Sequence, residues 1–576
     1  MSDDGSVHPR HAASELWRLV VLANLVGIAS AAVAVALRSG VHTLFALLEA
    51  WRSGPAGILL PAAGAFAGVA VVRVVFREPG GHGVPAVLES VSRRGGFMRV
   101  RSILSRLFGS LLTVAGGGSA GLEGPIVFSS AAVGSTIGGW LGLAERQRIR
   151  LLACGVAGGI GAIFGAPLTG LIFAMEVVLA EWTLGTVVPV AVSAAVATEI
   201  GRVVLGGEAP FHAGEFAWDP ADLVASAPLG ALCGLVSVGL VLAIFRAERA
   251  AGWMKERALL RRAGVVAAVA GLGVGLIGWF LPQAIGEGYE LVGQALAGEL
   301  HAGGLLLLLL LGGKFLATVL TLGSNAPGGI FAPSLVLGAL LGAGFGRLID
   351  LAVPGVDFAE PGFFALAAMA GLVAGTMQAP FTGIFLALET TGGWHQTLPL
   401  MVVATLSALV SRSLLKHSFY TWEVAETGRL LRPGTDQRIL ADLTVGEMLD
   451  EESPTVPAGR SLQTLTTVIA GTQRNHFAVL GPEGQLLGML DISKLRAFIF
   501  DDTLRQVTPV DTVMEHPPAL RADQSLLEAT QEFDRCGAWV LPVVDADGRF
   551  VGTVSKSTLF DRYRSELIVQ TAERSE

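Results

Sequence analysis

The sequence predicts an all-α polytopic membrane domain made of two related halves with broken helices, followed by a smaller mixed α/β domain. Three observations lead there. Of the 576 residues, 52% are hydrophobic and only 15% charged, far more apolar surface than a soluble core can bury. The segment Ala166–Glu176 returns as Ala379–Glu389 with its Ala-Pro, Thr-Gly and Glu at identical spacing. Beyond about residue 425 the character changes to Arg, Asp, Glu and Gln interleaved among short apolar runs.

Apolar segments run from about residue 14 to about 418. Many fall short of the ~20 residues that a simple spanning helix requires. Leu104–Ala115, Ile126–Leu143 and Ala365–Met377 are bounded by Gly-rich or Pro-containing turns rather than polar loops, so interrupted helices are expected. Such backbone is tolerated at membrane depth only around a cavity or inside protein. The 75 glycines suit close helix contacts of that kind. The first residues, Met1 to Ala12, lack the pattern of a cleaved leader, so Leu16–Leu37 is expected to stay in the membrane.

Charge sets the expected orientation. Arg93, Arg94, Arg99 and Arg101, then Arg146, Arg148 and Arg150, then Arg246, Arg249, Lys255, Arg257, Arg261 and Arg262 punctuate the apolar segments. By the positive-inside pattern these loops face the cytoplasm, and a nucleic-acid partner is not expected. The loop with Glu208, Glu215, Asp219 and Asp222 has no Lys or Arg and fits the outer face. Cys154, Cys233 and Cys536 show no redox or metal-ligand spacing, so neither a disulfide nor zinc is expected.

The tail is itself duplicated. Val445–Ile499 and Val510–Tyr563 each read as helix, strand, strand, helix, with matching turns at Gly484–Gly488 and Gly548–Gly552.

Chemistry concentrates in three Gly-rich turns that precede apolar helices, Gly80–Pro85, Gly121–Pro125 and Gly328–Pro333. A dehydrated anion needs donors, and main-chain N–H groups at helix N-termini supply them with the helix dipole behind. Glu123 stands inside one of these turns. A membrane carboxylate costs about 2.5–3.5 kcal/mol on insertion scales, so it needs a function or a strong partner. Glu176 and Glu389, late in the repeated segments, read instead as structural hydrogen-bonding groups.

Gly81-His82-Gly83-Val84-Pro85, Gly121-Leu122-Glu123-Gly124-Pro125 and Gly329-Ile330-Phe331-Ala332-Pro333, in this order, resemble the signature loops of the CLC family of chloride channels and proton/chloride exchangers. Tyr420 fits that family's pore tyrosine, and the paired tail units look like CBS modules. The resemblance implies two inverted helical repeats and a homodimer with one pore per subunit. It also implies chloride or a related small anion as the transported ion, protons as a second one in exchangers, and no enzymatic activity. Glu123 becomes the gate, and His82, Gly83, Gly124, Ile330, Phe331 and Tyr420 the anion-binding positions. The implied layout is a cytoplasmic segment at 1–13, a transmembrane domain at 14–424, a linker at 425–440, and CBS modules at 441–500 and 508–565. A plasma or inner membrane with both termini cytoplasmic is the expected location.

Three positions depart from the family pattern. His82 replaces a common Ser, and Leu122 replaces an Arg that often precedes the gating Glu. Val177 takes the place of the inner proton glutamate of the exchangers. A valine relays no protons, which favours a passive channel, with proton-coupled exchange through Glu176 or a water chain as the alternative. The tail runs Gly488–Lys494 and Gly552–Thr558 lack the terminal Asp that nucleotide-binding CBS modules present to a ribose, so an adenine nucleotide is possible but not favoured. A competing reading takes Gly117-Gly118-Ser119-Ala120-Gly121 as the GxSxG turn of an intramembrane serine protease, which needs a histidine base nearby. His212, His301 and His417 lie in polar segments instead.

Overall fold

The computed structural model describes residues 9–52, 54–206, 211, 216–255, 264–300, 303–426, 440 and 443–575. Glu208, Glu215, Arg257, Arg261, Arg262, His212 and His301, with residues 1–8 and most of 425–440, lie outside the described residues. The chain forms two compact units, Met1–Leu430 and Leu431–Glu576.

Among its described residues the first unit is built of helices, with one isolated bridge between Gly121 and Gly329. Its first half holds the helices Pro9–Leu47, Leu60–Ala70, Gly83–Arg93, Ser102–Ala115, Glu123–Trp140, Glu145–Phe164, Pro167–Phe173 and Leu184–Leu205. Its second holds Pro220–Lys255, Val265–Phe280, Tyr289–Leu296, Gly304–Gly323, Phe331–Ala352, Pro361–Met377, Pro380–Thr391, Thr397–Leu414 and Phe419–Glu426. Among the described residues eight helical stretches are long and apolar enough to cross a membrane. Shorter apolar ones, Ser102–Ala115 and Pro361–Met377 among them, are the interrupted helices that the turns predict. Leu305, Leu308, Val203 and Phe280 point outward, an exterior suited to hydrocarbon rather than water.

The breaks have local causes. The helix Glu145–Phe164 stops at Gly165 with φ 65°, and Pro167 starts the next one. At the equivalent point of the second half, Pro361–Met377 stops at Gln378 with φ 53°, and Pro380 restarts the chain. A left-handed Gln is strained. Here Gln378 is anchored by its Nε2 donating to the Leu415 carbonyl at 2.9 Å and its own carbonyl accepting from Arg412 at 3.0 Å.

The halves interlock reciprocally. The Glu176 carboxylate accepts from the Phe381 and Thr382 amides at 3.2 and 2.8 Å and from the Thr382 hydroxyl at 2.8 Å. Glu389 accepts from the Leu168 and Thr169 amides at 2.9 and 2.7 Å and from the Thr169 hydroxyl at 2.7 Å. Each carboxylate thus caps the opposite half's proline-started helix, where its charge also meets the positive helix end. Gly121 and Gly329 pair in the same manner through two main-chain bonds of 2.8 Å. Reciprocal contacts between equivalent residues are what a local two-fold axis requires. Glycine lets the helices behind these turns touch: a Cβ on Gly155 would lie 2.0 Å from the Ser130 carbonyl oxygen, and one on Gly342 2.0 Å from that of Phe364.

The second unit holds two three-stranded sheets, β1 (Thr455–Pro457), β2 (His476–Leu480) and β3 (Leu486–Asp491), then β4 (Leu520–Arg521), β5 (Val540–Val544) and β6 (Phe550–Ser555). The order helix, strand, strand, helix read from sequence misses β1 and β4, each of which pairs parallel with the strand after it in chain order. At three and two residues they are too short to show an alternating pattern. The two modules meet through antiparallel bridges, Asp450 with Thr553 and Met489 with Glu515.

Candidate functional site: a glutamate seated between helix starts

Glu123 is the first residue of its helix and is 1% exposed. Its carboxylate enters the space where two helices begin. Oε1 accepts a 2.7 Å hydrogen bond from the Tyr289 hydroxyl. The main-chain amides of Glu123 itself and of Ala332 are the further donors beside it, while Oε2 is buried and has no hydrogen bond of good geometry. Ala332 belongs to the first turn of Phe331–Ala352, whose N-cap is Ile330. A negative oxygen therefore sits against the positive end of that helix, where a free anion would sit. A Cβ on Gly121 would fall 1.9 Å from Glu123 Oε2, so the seated carboxylate depends on this glycine.

The other predicted positions gather round. Gly83 opens its helix directly against the next: a Cβ there would lie 2.5 Å from the Gly124 carbonyl oxygen. The rings of Phe331 and Phe173 are 5.9 Å apart, Phe173 and Tyr420 6.2 Å, Tyr420 and Phe419 5.6 Å, and Phe419 and His82 4.8 Å. This continuous aromatic wall connects the Phe331 turn, which pairs with the Glu123 turn through Gly329 and Gly121, to the His82 turn. Tyr420, at 2% exposure, is a buried member of the wall rather than an interfacial anchor.

His82 is turned so that Nε2 lies 2.9 Å from Glu248 Oε1, leaving Nδ1 buried and without a partner. Its loop is held by Arg106, which donates to the Gly81 and Pro79 carbonyls at 2.7 and 2.8 Å. Val177 lies half-buried in the π-helical turn Ala174–Leu179. Its neighbour Glu176, considered from sequence as a proton relay, spends its carboxylate on Phe381 and Thr382. Ser119, the protease candidate, is fully buried, with its Oγ 3.0 Å from Thr318 Oγ1 and its amide donating to Thr321. It is a structural serine of the turn.

Sequence reasoning missed Tyr289, Lys314 and Glu248. Lys314 is completely buried and donates to the Gly286 and Glu287 carbonyls at 2.6 and 3.1 Å, which fixes the turn that carries Tyr289. Glu287 and Tyr289 line a cavity of about 360 Å³ that also presents Arg38, His42 and Leu122. Arg38, whose Nη1 donates to the Ile163 carbonyl at 3.0 Å, places a positive charge at this cavity beside Leu122. A signal for Tyr289 existed: it is one of three tyrosines in the chain and follows Gly286-Glu287-Gly288. Among the described residues no group of His, Cys, Asp and Glu has the geometry of a metal site.

The sequence matches two known family models. The model for "Voltage gated chloride channel" matches residues 63–412, and that for the CBS domain residues 510–565. The chain belongs to the CLC family. CLC proteins transport anions, and this multi-pass membrane protein shares that activity. The H(+)/Cl(-) exchange transporter ClcA of Vibrio cholerae serotype O1 is 33% identical over 413 residues, covering 69% of this chain and 87% of the relative. That of Yersinia pseudotuberculosis is 30% identical over 428 residues, covering 71% and 87%. Among solved structures, a slow cyanobacterial Cl-/H+ antiporter superposes with a TM-score of 0.63 at 26% identity, covering 73% of this chain and 99% of that one. A eukaryotic CLC transporter, at 20% identity and a TM-score of 0.62, covers 94% of this CLC protein and 98% of its own length, a likeness of fold.

Proposed function

We propose that this CLC protein exchanges chloride or a related small anion for protons, with Glu123 as the group that both gates the anion path and carries the proton. The seating of the Glu123 carboxylate carries this reading. Charged, it fills the position at the helix starts that an anion needs, and it vacates that position on protonation or displacement. Anion passage and proton binding then compete at a single carboxylate, which is the requirement for coupling. The antiporter relatives support the same reading. His82, Gly83, Gly124, Ile330, Phe331 and Tyr420 form the anion path. The protein works as a homodimer with one pore per subunit, in a cell membrane with both termini cytoplasmic, and its CBS pair binds no nucleotide.

A passive channel is the second reading, favoured by Val177, which offers no inner proton acceptor. Reconstitution into liposomes with a chloride gradient, recording proton movement beside anion flux, decides between them. Exchange predicts protons driven uphill by chloride. Rapid chloride flux that moves no protons refutes coupling and leaves the channel.

A further inference from the structure

His82 occupies the N-cap of Gly83–Arg93, yet its side chain makes no capping bond. The residue is buried. Glu248 holds Nε2 at 2.9 Å, and a carboxylate only accepts, so Nε2 carries a hydrogen. In the neutral ring Nδ1 is then a bare acceptor, buried and unpartnered, a costly arrangement in a closed interior. In the protonated ring Nδ1 is a donor, and what it lacks is an anion. As the N-cap, His82 directly precedes the amides that open the Gly83 helix, and that helix starts against Gly124 and the Glu123 turn.

Burial opposes the protonated ring, and the surrounding carboxylates favour it. Glu248, on Pro220–Lys255, bonds it directly. Glu423, on Phe419–Glu426, comes within 3.3 Å of where a Gly81 Cβ would stand. Arg106, on Ser102–Ala115, opposes it from the far side of the loop, with its Nη atoms committed to the Gly81 and Pro79 carbonyls. Of the acidic groups on the other elements packed against this helix, Glu123 is turned to Tyr289 and Glu176 to Thr382. Two carboxylates, Glu248 and Glu423, and the Arg106 guanidinium face the ring, while the Arg73 guanidinium stands at the start of the same loop, 2.6 Å from where a Gly80 Cβ would be. The Glu248 side chain is 21% exposed where that of His82 is 4%, so the pair connects a closed site to solvent.

We propose that His82 and Glu248 form a proton site that fills together with the anion. One proton from solution adds at Nδ1 as one anion binds at the Gly83 helix start, and no covalent bond other than N–H forms or breaks. This rests on the anion-transport reading above and supplies the proton station that Val177 leaves open.

The test titrates the purified full-length protein with chloride by calorimetry near neutral pH, in two buffers of different ionisation enthalpy, on the Glu123→Gln background so that the gate contributes no proton. The expected result is uptake of up to about one proton per chloride. It falls to near zero in His82→Asn while chloride still binds, several-fold more weakly, and the uptake moves to lower pH in Glu248→Gln. Should His82→Asn fail to fold, Glu248→Gln alone decides. Uptake unchanged by these substitutions, or chloride binding with no proton uptake at any pH between about 5 and 8, overturns this proposal and leaves anion transport intact. Absence of binding by chloride and equally by fluoride and nitrate overturns both.

Discussion

Replacing Tyr289 by Phe removes one hydroxyl from the seated gate and little else. The ring keeps its edge contact with Phe211, at 5.4 Å between centroids, so packing survives while the 2.7 Å bond to Glu123 Oε1 is lost. A hydrogen bond to a charged group contributes about 1.5–3 kcal/mol. Among the described residues the further donors beside this carboxylate are the main-chain amides of Glu123 and Ala332. The closed position then weakens relative to any open one by about 1.5 kcal/mol or more, a tenfold change in their ratio per ~1.4 kcal/mol. Anion efflux from liposomes at neutral pH should rise about tenfold, with the half-activating pH moved up by about one unit. On a Glu123→Gln background the same substitution should add far less, because the charge that made the bond strong is gone. Efflux that falls or stays unchanged in Tyr289→Phe, or that rises equally in both backgrounds, refutes the role of this bond.

Glu123→Gln itself should carry anions at a rate independent of pH and move no protons, measured as efflux across a pH series with a proton electrode. Gly121→Ala should open the path at neutral pH, because its Cβ would stand 1.9 Å from Glu123 Oε2; the same change beside Glu123→Ala should leave efflux at the level of Glu123→Ala alone. Glu176→Gln and Glu389→Gln should each lower the thermal midpoint of the detergent-solubilised protein, through a loss of about 1–3 kcal/mol from amides left short of a charged acceptor, with roughly additive effects in the double variant. Adding ATP to the full-length protein should change neither that midpoint nor the efflux rate, since Asp491 is already bonded to the Ser493 amide and hydroxyl at 2.9 and 2.7 Å and Ser555 to Ser557 and Thr558.

What sequence reveals here follows the range of the interaction. Each anion turn is a short contiguous string whose Gly, Pro and acidic residues have local backbone reasons, so Gly121–Pro125 and Gly329–Pro333 are legible one loop at a time. The echo of Ala166–Glu176 in Ala379–Glu389 reveals the two halves, and a buried Glu at the end of each copy already suggests a structural acceptor. That each Glu caps the other copy's helix becomes visible only once the two-fold axis brings residues more than two hundred positions apart together. Tyr289 and Glu248 were missed for the same reason: each lies 166 positions from its partner, Glu123 and His82 respectively, and neither sits in a repeated string. His82 shows the consequence most clearly. As a letter in Gly-His-Gly it is a substitution for Ser at an anion loop, with its ring free to face the ion or turn away. Glu248 fixes that choice by holding Nε2, and in doing so it makes the remaining nitrogen a donor only when a proton is present. The mechanistic weight of Val177 changes with it. A missing inner glutamate argues for a passive channel only while no other titratable group reaches the anion path from solvent, and the proton site proposed at His82 and Glu248 would be such a group.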